Sequence, residues 1–316
     1  MDKLQLYNVA KLYYIDGLGQ QEIANITGYS RPQISRMLKE ARSCRLVEIT
    51  LHPPYGADPG ELAQGLQDRF ALQRAHVLDN SAYAETAMPE RIRAVAGYAA
   101  EYLAQQLPSC RKVGVGWGHT IYTTVLATEH SSRSLPVLFV PLTGNSGFSE
   151  PYYQTNSIVD RFAEKYKARG EFINAPAFSP TAEVRRCLIE SNGLEQPGSI
   201  WDNIDLAYFS LGGPPATSDV IRDIPNEGAA DRLLQSDAVG DVLGYLFDRD
   251  GRLLEGEPWD RYLAMPLERL LQVKRRVCAA LGRDKTAAIR AAIARGVMTE
   301  LITDHYTALS LLKEEE

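Results

Sequence analysis

Residues 20–39 read Gln20-Gln21-Glu22-Ile23-Ala24-Asn25-Ile26-Thr27-Gly28-Tyr29-Ser30-Arg31-Pro32-Gln33-Ile34-Ser35-Arg36-Met37-Leu38-Lys39. The pattern predicts two short helices around a sharp turn, the helix-turn-helix that lays its second helix in the DNA major groove. Ile23 and Ile26 are expected on the buried side of the first helix, and Ala24 is small enough for close crossing. Gly28 falls where the chain must turn, and glycine reaches positive φ without a Cβ penalty. Ser30 suits the N-cap of the second helix, and Pro32 falls in its first turn, where a missing N–H costs nothing. Ile34, Met37, Leu38 and Ala41 recur at helical spacing and form one apolar face.

The opposite face carries Pro32, Ser35, Arg36, Lys39 and Ser43, flanked by Gln33 on one side and by Arg31 and Arg42 on the other. The N-terminal turns of a recognition helix approach the bases. Pro32, Gln33, Ser35 and Arg36 are therefore expected near the DNA base edges, Arg31, Lys39 and Arg42 on phosphates, and the cap residue Ser30 joins the DNA-binding set. Arg36 suits guanine and Gln33 adenine. Between residues 31 and 45 five cations face Glu40 alone. A solvated basic amphipathic helix is the plain alternative, but the alanine, turn glycine, cap serine and apolar spacing together favour the motif. Leu46–Leu51 alternates apolar and polar like a β-wing strand, and residues 2–17 read as a supporting helix with Leu6, Val9, Leu12 and Tyr13 inward.

Charge divides the chain. Residues 1–52 hold seven Lys/Arg against five Asp/Glu, while the whole chain carries −6, so the remainder is near −8. An acidic remainder does not suit DNA by itself; it suits sensing, assembly or catalysis. The 316 residues can bury a large core, and 45% hydrophobic with 23% charged residues matches a soluble globular protein. Cys44, Cys110, Cys187 and Cys278 are far apart and fit no metal spacing, which predicts reduced thiols and a cytoplasmic protein with no metal and no cofactor. No uninterrupted apolar run of about 18 residues occurs, and the N-terminus lacks a signal-peptide pattern.

The domain expectation is a DNA-binding domain at 1–52, a Pro/Gly linker at 53–60, and a large α/β domain at 61–316. Helical patterns at 61–71, 85–107 and 285–295 alternate with strand patterns at 74–78, 112–116, 137–142, 171–174, 206–211 and 276–280. This order predicts a mostly parallel sheet with ligands beyond its carboxyl ends. Three loops there stand out: Gly114-Val115-Gly116-Trp117-Gly118-His119-Thr120, Leu211-Gly212-Gly213-Pro214-Pro215, and Gly282-Arg283-Asp284-Lys285. Glycines let backbone N–H groups approach an anion, and a lysine at a helix start is favourable only with an anion beside it.

With these landmarks, together with Leu12-Tyr13-Tyr14, Gly17-Leu18, Asp205–Gly213, Gly240–Asp248 and Leu301-Ile302-Thr303-Asp304, nearly the whole chain resembles the SorC family of sugar-responsive bacterial transcriptional regulators. The resemblance implies an N-terminal all-α winged helix-turn-helix. It also implies a C-terminal α/β domain similar to the glucosamine-6-phosphate deaminase and ribose-5-phosphate isomerase fold. It implies a sugar or sugar-phosphate effector, an operator on double-stranded DNA, and a homo-oligomer built as a dimer of dimers. By motif position it assigns Gly116, Gly118, His119 and Thr120 to one side of an effector pocket and Lys285 to the other. Gly144, Asn145, Gln154, Asn156, Asp205 and Gly212 complete the implied set, while Asp241 is assigned a structural role in a helix-forming run.

Two departures matter. Leu281 stands where relatives often carry glycine, which admits an unphosphorylated sugar or polyol as effector. Gly212-Gly213-Pro214-Pro215-Ala216 stands where the fold's deaminases carry an Asp-Gly-His run, so the ring-opening acid/base equipment is missing. The expectation is a non-enzymatic regulator of a carbohydrate operon with no catalytic residues. The alternatives are a sugar-phosphate isomerase or deaminase with a DNA-binding arm, and a large domain serving assembly alone.

Overall fold

The computed structural model describes residues 2–44, 46–47, 58–146, 154–218, 231, 233–256 and 259–313. The chain forms two compact units, Met1–Gly56 and Ala57–Glu316. In the first, α1 (Lys3–Tyr14), α2 (Gln20–Thr27) and α3 (Arg31–Ser43) enclose a core of Leu6, Val9, Ile23, Ala24, Ile34, Met37, Leu38 and Ala41. Asp2 caps α1 by accepting from the Leu4 N–H. Gly28 ends α2 at φ +75°, a left-handed conformation that costs other L residues about 1–2 kcal/mol.

Two expectations change here. Ile26 is 64% exposed. The buried side of α2 is centred between Ile23 and Ala24, and at ~100° per residue Ile26 lies about 110° away from that centre. The wing strand at 46–51 lies outside the described residues from position 48 onward. Leu46 and Val47 pack on the core with their N–H groups bonded to the Ala41 carbonyl, which is a helix-end pattern rather than a strand pattern.

In the second unit, strands β1 (Arg74–Leu78), β2 (Lys112–Val115), β3 (Leu138–Pro141), β4 (Arg169–Gly170), β5 (Leu206–Phe209), β6 (Leu211–Gly212), β7 (Gly240–Val242), β8 (Tyr245–Phe247), β9 (Arg275–Ala279) and β10 (Glu300–Asp304) are interleaved with helices. The helices are α4 (Pro59–Phe70), α5 (Met88–Gln106), α6 (His119–Ala127), α7 (Thr155–Tyr166), α8 (Ala182–Ser191), α9 (Leu267–Gln272), α10 (Thr286–Ala294) and α11 (His305–Leu312). Among the described residues a seven-stranded sheet runs β1-β10-β9-β5-β2-β3-β4, each pairing parallel. All four residues of β5 are buried, as continuous apolar strands covered on both faces must be. A second sheet, β6-β7-β8, is antiparallel.

The expected linker ends sooner than 60. Positions 53–57 lie outside the described residues, while Pro59 and Gly60 form the first turn of α4 under an Asp58 cap. The strand expected at 171–174 is a loop after β4. Side chains take its backbone groups: Asn156 donates to the Ile173 carbonyl and accepts from its N–H, and Asn192 accepts from the Asn174 N–H. The run 206–211 divides between the two sheets, and 300–304 is a further strand. The segment around Asp241 is a hairpin, not a helix. Leu243 and Gly244 both have positive φ, as a two-residue turn between twisted strands requires.

Candidate functional site

On the small unit, Ser30, Arg31, Pro32, Gln33, Ser35, Arg36, Lys39 and Arg42 are all exposed on α3 or at its cap. Two of them have local duties. Gln33 Oε1 accepts from both the Ser30 N–H at 2.8 Å and the Ser30 hydroxyl at 2.9 Å, closing the first turn of α3. Arg42 Nε donates to the Tyr14 hydroxyl at 2.7 Å, with its guanidinium 5.6 Å from the Tyr14 ring centroid. That bond and the ring contact fix the Arg42 guanidinium against Tyr14.

On the large unit a cavity of about 240 Å³ opens at the carboxyl ends of β2, β5 and β9. Four loops build it. After β2, Gly118 turns at φ +116° to start α6, presenting His119 and Thr120. After β5, Ser210 leads into Leu211, Gly212 and Gly213. After β9, Leu281 and the turn Arg283–Lys285 place Asp284 and Lys285 on the wall. The β7–β8 hairpin contributes Asp241, and the start of α5 contributes Met88 and Ile92.

Asp241 is only 4% exposed. Its Oδ1 accepts from the Gly244 N–H at 3.2 Å and its Oδ2 from the Ser218 hydroxyl at 3.4 Å. Burial pushes its carboxyl up to about 6, against the opposing pull of Lys285, the Gly244 N–H and Ser218. Gly212 makes room for it: a Cβ there would lie 1.6 Å from Asp241 Oδ2. Lys285 Nζ donates to the Leu211 carbonyl at 2.7 Å. Burial, and then the Lys285 charge, lower the His119 imidazole below its usual range.

The structure therefore brings Gly118, His119, Thr120, Gly212 and Lys285 to one cavity. Gly116 lies beneath it as a packing position, since a Cβ would meet Phe209 Cβ at 2.9 Å. Gly144, Asn145, Gln154 and Asn156 do not line it. They form a separate cluster after β3, where Gly144 is pressed on the Pro176 carbonyl and Asn145 Oδ1 accepts from the Asn156 N–H. Gln154 there donates to the Ser146 carbonyl. Asp205 sits at the wrong end of the sheet for this cavity. Its carboxylate accepts from the Arg111 and Lys112 N–H groups where β2 begins, and it faces a different cleft with Arg269 and Arg275.

Sequence reasoning missed Asp241, Asp284, Thr217 and Ser218 as lining groups. One signal was present: a carboxylate framed by Gly240 and Gly244 within an otherwise apolar run. A wider cleft of about 730 Å³ beside α10 is ringed by arginines, but three are tied to backbone carbonyls. Arg69 bonds Leu312, Arg276 bonds Leu271 and Gly296, and Arg290 bonds Ser310, Leu311 and Lys313. Among the described residues no helix is long and apolar enough to cross a membrane.

A family model described as "Putative sugar-binding domain" matches residues 57–313. The chain is 27% identical over 315 residues to the sorbitol operon regulator of Klebsiella pneumoniae, covering 98% of this chain and 97% of that relative. It is 30% identical over 308 residues to the transcriptional regulator LsrR of Klebsiella pneumoniae subsp. pneumoniae, covering 96% and 91%. The crystal structure of the full-length sorbitol operon regulator SorC from Klebsiella pneumoniae aligns with a TM-score of 0.73 at 26% identity, covering 98% of this chain and 99% of that one.

Proposed function

The chain belongs to the SorC-like family of transcriptional regulators with a sugar-binding domain, and from that premise we propose that it switches a carbohydrate operon in response to a small sugar-type effector. The observation that carries the reading is one of place. The cavity with Gly118, His119, Thr120, Gly212 and Lys285 lies within the sugar-binding match, at the strand ends where open α/β sheets take ligands. In this reading residues 1–52 are the winged helix-turn-helix, and the α/β unit follows the glucosamine-6-phosphate deaminase and ribose-5-phosphate isomerase plan.

Exposed α3 reads an operator in the cytoplasm, with Arg36 and Ser35 at base edges and Arg31, Lys39 and Arg42 on phosphates. One α3 on one half-site binds weakly, so pairing through the large unit, as a dimer of dimers, supplies strength. Effector binding favours one subunit arrangement and so changes the spacing of paired helices against half-sites about 34–36 Å apart. The protein works without turnover: the segment after β5 offers Gly212, Gly213 and two prolines rather than an acid/base run. An electrophoretic shift assay on DNA upstream of its own gene cluster, with and without a sugar panel, tests the reading. Retarded DNA that is released or tightened by one sugar supports it; no retention of any such DNA at moderate salt refutes it. Turnover of glucosamine 6-phosphate or ribose 5-phosphate above background would revive the enzymatic alternative.

A further inference from the structure

We infer that the effector is a small carbohydrate carrying no phosphate group, held by the Asp241 and Asp284 carboxylates through donated hydroxyl hydrogens. This rests on the reading of the 240 Å³ cavity as the effector site and narrows its ligand class.

One position that a phosphate would use, the turn after β9, is already taken. Gly282 N–H, at the turn after β9, donates to Thr307 Oγ1 at 2.9 Å. The Asp284 carboxylate folds back over the same turn, its Oδ1 lying 2.5 Å from where a Cβ on Gly282 would stand. So a carboxylate occupies the place at the start of α10 where a bound anion would sit. Leu281, buried, narrows that approach further. Lys285 spends one ammonium hydrogen on the Leu211 carbonyl and has its charge offset by Asp241.

The donor and acceptor count points the same way. A carboxylate only accepts, and a phosphate monoester dianion also only accepts, so neither can satisfy the other. A polyol supplies hydrogens. Among the described residues Asp241 accepts two long bonds, at 3.2 and 3.4 Å, for roughly four lone-pair sites. A buried carboxylate left that far from satisfied is stabilised by hydroxyl donors and destabilised by further negative charge. The N-terminus of α6 and Lys285 then serve the same ligand's oxygens as donors. Among the described residues the lining includes no arginine, the side chain suited to bidentate phosphate recognition. The volume is below the ~300–1,000 Å³ usual for drug-sized ligands, a fit for one monosaccharide or polyol.

The test titrates the full-length protein by calorimetry with matched pairs: D-glucose and glucose 6-phosphate, D-glucitol and glucitol 6-phosphate, D-fructose and fructose 6-phosphate, D-ribose and ribose 5-phosphate. The expected result is saturable binding of at least one neutral member, with its phosphate ester at least tenfold weaker. Asp241→Asn should weaken that neutral ligand at least tenfold. Asp284→Asn, on the exposed turn, should improve the phosphate ester severalfold. A phosphate ester that binds more tightly than its neutral parent overturns the ligand class and leaves the cavity reading intact. Binding of no member of any pair overturns the cavity reading, and with it the inference.

Discussion

The outer face of α3 and the cavity of the large unit handle polar chemistry in opposite ways. On α3 the functional side chains are exposed, and their value lies in spacing on a rigid three-helix frame. In the cavity the decisive group is withdrawn from water, and its value lies in what burial does to it. A surface array can recognise a polyanion through position and charge, at little cost to the fold. A buried carboxylate costs stability while empty and recovers it when a donor arrives. In the proposed switch the output end would depend on presentation, and the input end on a buried acceptor.

The largest expected effect tests how far the large unit depends on buried charge. Asp304 and Arg91 form a fully buried pair at 2.5 Å, and Asp304 also accepts from Asn80 and from the Thr307 N–H. Burial pushes the Asp304 carboxyl up, but Arg91, Thr307 and Asn80 outweigh it and hold it below its usual range. Asp304→Ala leaves Arg91 buried and uncompensated, with an expected loss of about 3–5 kcal/mol in urea unfolding of the large unit. A loss under about 1 kcal/mol would mean that the pair contributes little.

The next test reverses the sign. Asp241 goes from an ordinary carboxyl value of 3.8 to about 6 in the fold, so its ionised form opposes folding above pH 6. Among the described residues, Lys285 and Asp284 from the turn before α10, His119 and Thr120 from α6, and Ser210, Thr217 and Ser218 are polar groups lining the cavity with it. Without ligand, Asp241→Asn is expected to stabilise by roughly 2–3 kcal/mol at pH 8. The gain should shrink as pH falls through about 6 and vanish only well below 3.8, where the wild-type carboxyl has taken up its proton in both states. A pH-independent difference between the two unfolding curves would show that desolvation of Asp241 is not the cause.

Crossed variants separate the two ends. Arg36→Ala should cost roughly 1–3 kcal/mol of operator affinity and leave effector binding unchanged. Lys285→Ala should blunt the effector response and leave operator affinity near wild type. Equal losses of operator affinity in both would abolish the division of labour. The smallest effect belongs to Tyr14→Phe, which frees Arg42 from its 2.7 Å anchor. It should weaken binding to every DNA sequence alike by less than about 1 kcal/mol, because a phosphate contact orients without specifying. A loss confined to one operator base would make Arg42 a base reader.

Much of this was legible from residue patterns, for identifiable reasons. The apolar positions of α3 and the buried strands β2, β3, β5 and β9 follow periods that local geometry imposes, and Gly28 and Gly118 mark turns that need positive φ. Asp205 was misplaced because pattern reading locates a residue near a strand without deciding which end of the sheet meets the ligand. Residues 171–174 read as extended because their apolar content ignores Asn156, whose amide takes the ladder's place from elsewhere in the sequence. Asp241 was hidden because Val242-Leu243-Gly244-Tyr245-Leu246 looks helical until Leu243 adopts positive φ. Tertiary packing settled each of these.

The 1.6 Å between a would-be Cβ on Gly212 and Asp241 Oδ2 also constrains how such a protein can change over time. A side chain added at 212 must push the carboxylate at 241 from its place, whereas a smaller residue at 241 opens the way. The two positions are therefore coupled. The easier order for a lineage that changed this wall is loss of the acid first, and for a return the glycine before the aspartate.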